Sequence, residues 1–374
     1  MAVDFLIVGG GIAGASAGYF LAEHGRVVLL EREEAPGYHS TGRSAALFTE
    51  TYGNAAIRAL TVSSGSFLRD PPKGFTDHPL LTPRGSMIVA PRDAETAYRE
   101  ALAEGQRYVD SVRALGVEEA LALCPALRRE RLGYAFLEPD AMDMDVHAIH
   151  QGFLRGLRAR GGEIVSSAEV TALVRRGSVW EATTPAGRWE APLVIDAAGA
   201  WADEVARLAG VRQMGLVPKR RTAFTIDPPA AYDTSKWPMV SDIEETLYFK
   251  PESGRLLVSP ADQTPIAPCD VQPEEMDVAE AADRLQAKTT IEVRRVLRKW
   301  AGLRSFVRDK TPVVGPAPDA PGFFWLAGQG GYGIMTSPAM GRLTVALATG
   351  GTVPDELQKL GLTAAAILPN RLLA

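Results

Sequence analysis

Short apolar runs separated by glycine-rich turns open the chain. Residues 4–8 form an apolar run that ends in glycines, residues 13–23 have a composition that favours a helix, and residues 27–30 form a second apolar run. Gly25 follows the helix as its predicted C-cap. This order predicts a strand-helix-strand unit with a right-handed crossover and two parallel strands in a sheet that is buried on both faces.

The same kind of pattern returns later in the chain. Helical periodicity over 147–160 is followed by an apolar run at 193–198 that predicts another buried strand. Residues 324–327 predict one more strand, and a glycine cluster follows it. A final helix is predicted after that cluster, with Ser337 as N-cap and Pro338 at the first helical position.

Two regions between these segments have a different pattern. Residues 47–139 are rich in proline and glycine, and residues 211–299 contain alternating segments that suit antiparallel strands, such as 222–226. A chain of 374 residues exceeds the usual size of one domain. We therefore predict an α/β fold, α+β overall, in which these two regions form an antiparallel-sheet substrate-binding domain. The Rossmann-like nucleotide-binding domain then comprises residues 1–46, 140–210 and 300–374.

Composition and charge narrow the class of protein. Hydrophobic residues make up 46% of the chain and charged residues 23%, as in ordinary soluble proteins, and the net charge of -5 argues against a nucleic-acid partner. Cys124 and Cys269 form no metal-binding pattern and suit a reducing cytoplasm. Without an apolar run of roughly 18 residues or a signal peptide, we expect a cytoplasmic protein with no transmembrane segment. A peripheral contact with a membrane stays open.

The strongest local signal is the glycine motif at residues 9–14. Gly9 permits a tight turn, Gly11 lets the backbone approach a pyrophosphate, and Gly14 lets the helix pack against the strand. Ile12 and Ala13 begin the helix, whose free N–H groups and positive dipole end attract phosphate. The motif therefore predicts dinucleotide binding.

Three further segments decide which dinucleotide is expected. Glu31 ends the second strand, where a carboxylate accepts hydrogen bonds from a ribose and favours FAD or NAD over NADP. The small polar loop 40–46 suits an extended flavin, and the glycine cluster 328–333 aims backbone N–H groups at the edge of an isoalloxazine ring. These segments favour FAD. An ordinary surface loop at each place, and an NAD dehydrogenase overall, stay as alternatives.

These motifs resemble a known family along essentially the whole chain. With VIDAAGAWAD at 194–203 and WAGLRSF at 300–306, they are similar to the D-amino acid oxidase-type flavoproteins. Within that family the chain most resembles the bacterial FAD-dependent D-amino acid dehydrogenases of the D-arginine dehydrogenase type. The segments that carry this second resemblance are GYHSTGRSAA at 37–46, DHPLLTPR at 77–84, LVPKRRTAF at 216–224 and LYFKPESG at 247–254.

The resemblance implies non-covalent FAD, because neither cysteine lies in a flavin-facing motif. The residues expected to contact FAD are Gly9, Gly11, Ile12, Ala13, Gly14, Glu31, Arg32, Ser40, Thr41, Arg43, Ser44, Ala45, Ala46, Val170, Ala198, Gly199, Trp201, Gly328, Gly330, Gly331, Tyr332, Gly333 and Ile334.

The resemblance also implies a site for an amino acid. Arg221 and Arg304 match the family's carboxylate-binding arginines, a role that suits the planar guanidinium fork. Tyr52 and Tyr248 match tyrosines that line the substrate site, and Gly331 matches a backbone element near the flavin and the amine. The implied reaction is oxidative deamination of a D-amino acid, in which hydride passes from Cα to the flavin and the imino acid hydrolyses. Taken alone, Arg221 would also suit a solvated charge, because it ends a basic run.

The chain departs from its D-arginine dehydrogenase-type relatives at two positions. Ser86 stands where those enzymes carry a glutamate for a cationic side chain, and Leu47 stands where they carry a histidine. With Met239, these residues form the predicted substrate side-chain pocket, which favours neutral or apolar D-amino acids. Glu50 and the acids within 242–245 would pair with a cationic side chain if they face the pocket, so basic substrates stay as an alternative.

Several rival interpretations remain at this stage. One is an oxidase or dehydrogenase of secondary amino acids, such as proline or sarcosine, or of glycine, and another is a flavin-binding subunit without turnover. The electron acceptor, oxygen or a quinone-like carrier, is undetermined. Asp143, Asp145, His147 and His150 bear metal-ligating groups, but Asp145 suits the N-cap of the following helix and flavin chemistry needs no metal. No metal site is therefore predicted.

Overall fold

The computed structural model describes residues 3–373, and its regular elements alternate between strands and helices along that range. In chain order the strands are β1 (Phe5–Val8), β2 (Val27–Leu30), β3 (Leu47–Phe48), β4 (Leu81–Pro83), β5 (Ser86–Ala90), β6 (Arg113–Leu115), β7 (Tyr134–Glu138), β8 (Met142–Met144), β9 (Glu163–Val165), β10 (Ala172–Arg176), β11 (Val179–Thr184), β12 (Gly187–Ala191), β13 (Leu193–Asp196), β14 (Val217–Ile226), β15 (Met239–Asp242), β16 (Tyr248–Glu252), β17 (Arg255–Ser259), β18 (Val296–Phe306), β19 (Val313–Pro316) and β20 (Phe323–Ala327). The helices are α1 (Ile12–Leu21), α2 (Ala55–Arg69), α3 (Glu95–Tyr108), α4 (Val117–Leu123), α5 (Val146–Ala159), α6 (Ala202–Leu208), α7 (Glu275–Lys288), α8 (Gly333–Ala348), α9 (Asp355–Lys359) and α10 (Ala364–Ile367).

The first apolar runs form the centre of a six-stranded sheet with the order β19-β20-β13-β1-β2-β9. β1 pairs in parallel with β2 and β13, which confirms the predicted strand-helix-strand unit. Leu6 faces an apolar cluster shared with the small sheet β10-β11-β12, whereas Ile7 faces the cluster of α1, α5 and α8. Burial on both faces explains why β1 is apolar throughout instead of alternating.

A second, mostly antiparallel sheet has eight strands in the order β18-β14-β17-β16-β15-β5-β7-β6. Helices α4 and α7 cover one of its faces, where Phe224 of β14 packs. Because side chains alternate along a strand, the odd-numbered residues of β14 point to the opposite face. The two sheets together give the predicted mixed α/β class of fold.

The domain assignment stays a prediction, and two observations bear on its boundaries. The predicted boundary at residue 300 falls inside β18, because that strand pairs with β14 along nearly its whole length. Helix α2 was assigned to the substrate-binding region, yet it packs against α8 and Ser64 accepts a hydrogen bond from the Ala339 N–H at 3.1 Å.

Two predicted helix ends are wrong. The C-cap of α1 is Ala22, not Gly25; the glycine instead lets the Asp4 carboxylate approach, since a Cβ there would lie 2.8 Å from Asp4 Oδ2. Ser337 and Pro338 lie inside α8 and do not begin it. Proline cannot donate to the carbonyl of Ile334, and the Ser337 hydroxyl donates to that oxygen at 2.8 Å instead. Among the described residues, no helix combines the length and apolar character needed to cross a bilayer.

A buried acid ends one of the central strands. Asp196, the last residue of β13, is fully buried, and its Oδ2 lacks a hydrogen-bond partner within the described part of the chain. Trp325, its neighbour on β20, has an equally unpartnered Nε1. Burial, with a smaller effect of the Asp203 charge, raises the pKa of Asp196 well above its ordinary value of 3.8. Burial therefore favours the uncharged form of Asp196.

We predict that Asp196→Asn stabilises the protein more at high pH than at low pH. Because the folded-state pKa is raised, Asp196 favours folding fully below pH 3.8, and this contribution is lost as the pH rises toward the folded-state pKa. The gain in Tm over the wild type should increase between about pH 5 and about pH 8. Thermal unfolding across this range, with the exposed Asp140→Asn as control, measures it. A gain that is independent of pH would contradict the prediction.

Candidate functional site

A deep cavity lies at the carboxyl end of the six-stranded sheet and extends to β14, β16 and β18 of the eight-stranded sheet. Gly9, Glu31, Ala197 and Gly328 line it, each directly after the end of a strand of the first sheet. This is the edge at which doubly wound folds bind nucleotides. All of the predicted FAD contacts line the cavity except Gly14, Ala46 and Tyr332.

The glycine motif has the geometry that its sequence predicts. Gly9 has a φ of +107°, and a Cβ there would lie 2.5 Å from the carbonyl oxygen of Ala197. A Cβ on Gly14 would lie 2.0 Å from the carbonyl oxygen of Gly9, so this glycine permits helix packing and does not reach the cavity. Thr41 Oγ1 accepts a hydrogen bond from the Ile12 N–H at 3.0 Å, which joins the polar loop to the start of α1.

Glu31 is buried at the end of β2, and its carboxylate faces the cavity. Its Oε2 accepts from the Gly10 N–H at 2.8 Å, and its Oε1 accepts from the Glu33 N–H at 2.9 Å. Burial raises the pKa of Glu31, and the two backbone hydrogen bonds oppose that effect. A carboxylate has about four acceptor positions, so Glu31 retains capacity for the hydroxyls of a ribose.

The loop 40–46 is fastened to the second sheet. Arg43 Nη1 donates to the carbonyl oxygens of Val271 at 3.0 Å and Ala301 at 3.2 Å, and its Nη2 forms an ion pair with Asp270. Ser40 Oγ donates to the carbonyl oxygen of Leu303 at 2.7 Å. The guanidinium of Arg43 is thus engaged in holding the loop, although the residue lines the cavity as predicted.

Arg221 and Arg304 lie on neighbouring strands with their side chains on the same face. In the pairing of β14 with β18, Arg304 is opposite Lys219 and Arg221 is opposite Gly302, and both arginines line the cavity. Alternation sends Arg220 to the other face, where it pairs with Asp277 at 2.9 Å. Of the two arginines in the basic run, Arg220 therefore forms an ion pair within the protein and Arg221 lines the cavity.

The two cavity arginines have no carboxylate partner in the part of the chain that the structure describes. Arg221 Nε is buried without a hydrogen bond. Burial lowers the pKa of Arg221, and the neighbouring charge of Arg304 lowers it further. The more distant Asp262 opposes this effect without forming an ion pair with Arg221. Two adjacent cations that form no ion pair make a site that an anion would stabilise, and guanidinium suits a carboxylate by two parallel hydrogen bonds.

Aromatic residues and a glycine surround Arg304. Its Nη1 donates to the Tyr52 hydroxyl at 3.5 Å, and the ring centroid of Tyr52 lies 4.9 Å from that of Tyr332. Tyr248 lines the cavity beside Arg221. A Cβ on Gly331 would lie 2.9 Å from the Cζ of Arg304, so the glycine lets the guanidinium lie against the backbone. The structure thus brings all five predicted substrate-site residues together.

The predicted side-chain pocket is not part of the cavity lining. Leu47 pairs with Asp143 in the small sheet β3-β8-β4, where its side chain is buried. Ser86 is the register partner of both Met239 and Glu138 in the eight-stranded sheet. These positions are determined by strand pairing between distant segments, which the sequence motifs do not reveal.

The acids considered as partners for a basic substrate also lie outside the cavity lining. Glu50 Oε1 is 3.0 Å from Arg69 Nη2. Asp242 is buried and pairs with Lys288 at 2.5 Å, and the remaining acids of this stretch are exposed in the turn between β15 and β16. None of them lines the cavity.

The residues considered for a metal have structural contacts. Asp145 caps α5 as predicted, because its Oδ1 accepts from the Ala148 N–H at 2.8 Å. Asp143 pairs with Lys250 at 2.7 Å. His150 was missed as a neighbour of the nucleotide motif: its Nε2 lies 2.8 Å from the carbonyl oxygen of Gly10. Across residues 3–373, no group of three or more potential metal ligands converges.

Several lining residues were not among the predicted contacts, although Tyr38 and His39 lie in the segment 37–46 and Gln329 lies in the glycine cluster 328–333. They include Tyr38, His39, Glu169, Glu204, Leu208 and Gln329. Gly302 and Ser305 also line the cavity, and their place beside Arg304 in one strand could have identified them.

Known proteins resemble the chain along most of its length. The glycine oxidase of Bacillus licheniformis is 25% identical over 370 residues, which cover 94% of this chain and 95% of that protein. The mitochondrial sarcosine dehydrogenase of Mus musculus is 24% identical over 360 residues, which cover 91% of this chain but 39% of that longer protein. The crystal structure of glycine oxidase from Geobacillus kaustophilus superposes with a TM-score of 0.83 at 22% identity, covering 97% of this chain and 99% of that one.

The family model of FAD-dependent oxidoreductases matches residues 4–347. The glycine cradle, the strand-end carboxylate and the helix that begins beside them fit FAD. The chain belongs to the family of FAD-dependent oxidoreductases.

Proposed function

We propose that this protein oxidises a small amino acid at the carbon next to its nitrogen, and that glycine or small secondary amino acids such as sarcosine are preferred. The pairing of Arg221 with Arg304 is the observation that carries the proposal, because it offers a carboxylate two cations at the lining of the FAD cavity. When bound, FAD accepts the hydride that leaves this carbon. The arginines orient the substrate by its carboxylate, which is the positioning that such a reaction needs.

The surroundings of the arginine pair favour a small substrate. Leu47, Ser86 and Met239, the predicted side-chain pocket, are absent from the lining. Tyr52 and Tyr332 pack against each other beside Arg304, and neither of them is part of the lining. The names of the similar proteins, a glycine oxidase and a sarcosine dehydrogenase, support the same substrate class. Both kinds of support lead us to prefer this substrate class over D-amino acids.

A neutral D-amino acid is the second candidate. It is favoured by the segments that resemble D-arginine dehydrogenase-type enzymes, above all the one that contains Arg221. The carboxylates of the cavity lining, Glu31, Glu169 and Glu204, belong to segments of the first sheet and α6, and Asp262, whose charge acts on Arg221, lies outside the lining. A cationic side chain would therefore lack a partner, so D-arginine is disfavoured in either case.

The substrate class is tested by anaerobic mixing of the FAD-loaded protein with glycine, sarcosine, D-alanine, D-leucine and D-arginine. We expect glycine and sarcosine to reduce the flavin at least about tenfold faster than D-leucine at equal concentration, because an added side chain finds no pocket. Loss of the visible flavin absorption measures each rate. A lead for D-leucine would favour the second candidate, and a lead for D-arginine would contradict both.

Arg304→Lys tests the carboxylate site. Lysine keeps the positive charge but loses the planar fork, so we expect the KM for the preferred amino acid to rise about 10- to 100-fold, equivalent to about 1.5–3 kcal/mol. The flavin content should not change. Arg255→Lys, in an exposed ion pair with Asp227, is the matched control. Wild-type KM values in the Arg304→Lys variant would remove the basis of the proposal.

A further inference from the structure

Tyr52, which contacts Arg304, lies in a short segment between β3 and α2. We call residues 49–54 the Tyr52 segment. It runs past the end of β7, where Glu138 is the last residue and is only 3% exposed. Glu138 does not line the cavity and has no cationic partner among the described residues. A buried acid of this kind needs other groups to satisfy its oxygens.

Three donors of the Tyr52 segment satisfy Glu138. The hydroxyls of Thr49 and Thr51 donate to Oε2 at 2.6 Å and 2.5 Å, and the Glu50 N–H donates to Oε1 at 2.8 Å. Burial raises the pKa of Glu138, whereas these three hydrogen bonds oppose the rise. Both oxygens accept from consecutive residues, so the carboxylate fixes the backbone immediately before Tyr52.

The other end of the Tyr52 segment is held independently. Asn54 caps α2 by accepting from the Ile57 N–H at 3.1 Å, and its Nδ2 donates to Thr311 Oγ1 at 2.8 Å. Gly53 has a φ of +88°, a left-handed conformation that favours glycine and that turns the chain into the helix. Tyr52 therefore lies between two hydrogen-bonded residues, Thr51 and Asn54, and the position of Thr51 depends on Glu138.

We propose that Glu138 is a positioning residue that acts through Tyr52 to orient Arg304 toward the carboxylate of the substrate. This inference rests on the proposed function, in which Arg304 binds that carboxylate. The connection is continuous: Glu138 fixes Thr51, the adjacent Tyr52 accepts from Arg304 Nη1 at 3.5 Å, and Arg304 faces the cavity. Tyr52→Phe removes the hydroxyl that accepts from Arg304 and removes no other hydrogen bond of this series.

The test measures binding of acetate, a carboxylate without an amine, to the FAD-loaded protein through the change in flavin absorption. Glu138→Gln removes the negative charge and replaces one accepting oxygen by an amide donor, so the hydrogen bonds to the Tyr52 segment lose their charge-assisted strength and those at the amide must reverse direction or break. We expect acetate to bind about tenfold more weakly and FAD to bind as before. The exposed Glu118→Gln, which loses an ion pair with Arg129, is the matched control.

A double-mutant cycle separates positioning from a merely structural role. In a Tyr52→Phe background, Glu138→Gln should change acetate affinity by no more than about twofold, because the link it acts through is already absent. The same tenfold loss in both backgrounds would overturn the proposal. So would a lower Tm with unchanged acetate affinity.

If Glu138→Gln does not fold, Thr51→Val takes its place, since it removes one donor and keeps the acid. It should weaken acetate binding about threefold in the wild-type background and leave it unchanged with Tyr52→Phe. Unchanged affinity in the wild-type background would overturn the proposal. Reduction of the wild-type flavin by amino acids tests the proposed function, whereas the ratio of variant to wild-type acetate affinity tests Glu138, so the two fail separately.

Discussion

The arrangement of the site depends on two like charges that lie next to each other and form no ion pair within the described part of the chain. Burial and the charge of Arg304 lower the pKa of Arg221. Burial also disfavours the charge of Arg304, but the neighbouring Tyr52 and Tyr248 act against it and the pKa of Arg304 is raised. The pairing of β14 with β18 fixes the two side chains on one face, and this geometry prevents them from separating. An anionic ligand would offset the repulsion within such a pair, which supports the proposed binding of a substrate carboxylate.

The rest of the fold serves to place that pair beside the nucleotide cavity. The first sheet supplies strand ends, glycines and Glu31 along one side, and the eight-stranded sheet supplies the arginines on the other. Helices α4 and α7 cover the face of the second sheet that points away from the cavity. Alternation along β14 places Arg221 on the face toward the cavity and Phe224 on the face toward the helices.

The features of the fold and site that could be predicted are those whose sequence pattern lies within one short segment of the chain. Gly9, Gly14 and Glu31 belong to one strand-helix-strand unit, so their spacing alone was sufficient to predict their places. Arg221 and Arg304 are separated by most of the second sheet, and only the family resemblance brought them together. Ser86 and Met239 meet through the pairing of β5 with β15, and neither residue type nor spacing indicated that both would lie outside the cavity lining. The helix ends predicted from Gly25 and Pro338 were wrong because other contacts override the usual rules. Gly25 makes room for the Asp4 carboxylate, and the Ser337 hydroxyl donates to the carbonyl that Pro338 leaves without a donor.

The fastening of the loop 40–46 to β18 has a thermodynamic consequence. Ser40 and Arg43 hydrogen bond to backbone carbonyls of the same strand that carries Arg304, while Thr41 contacts the start of α1. The loop beside the dinucleotide cavity and the strand of Arg304 are therefore joined by direct hydrogen bonds. Because linkage is reciprocal, any factor by which a bound dinucleotide would change carboxylate affinity is the factor by which a carboxylate would change dinucleotide affinity.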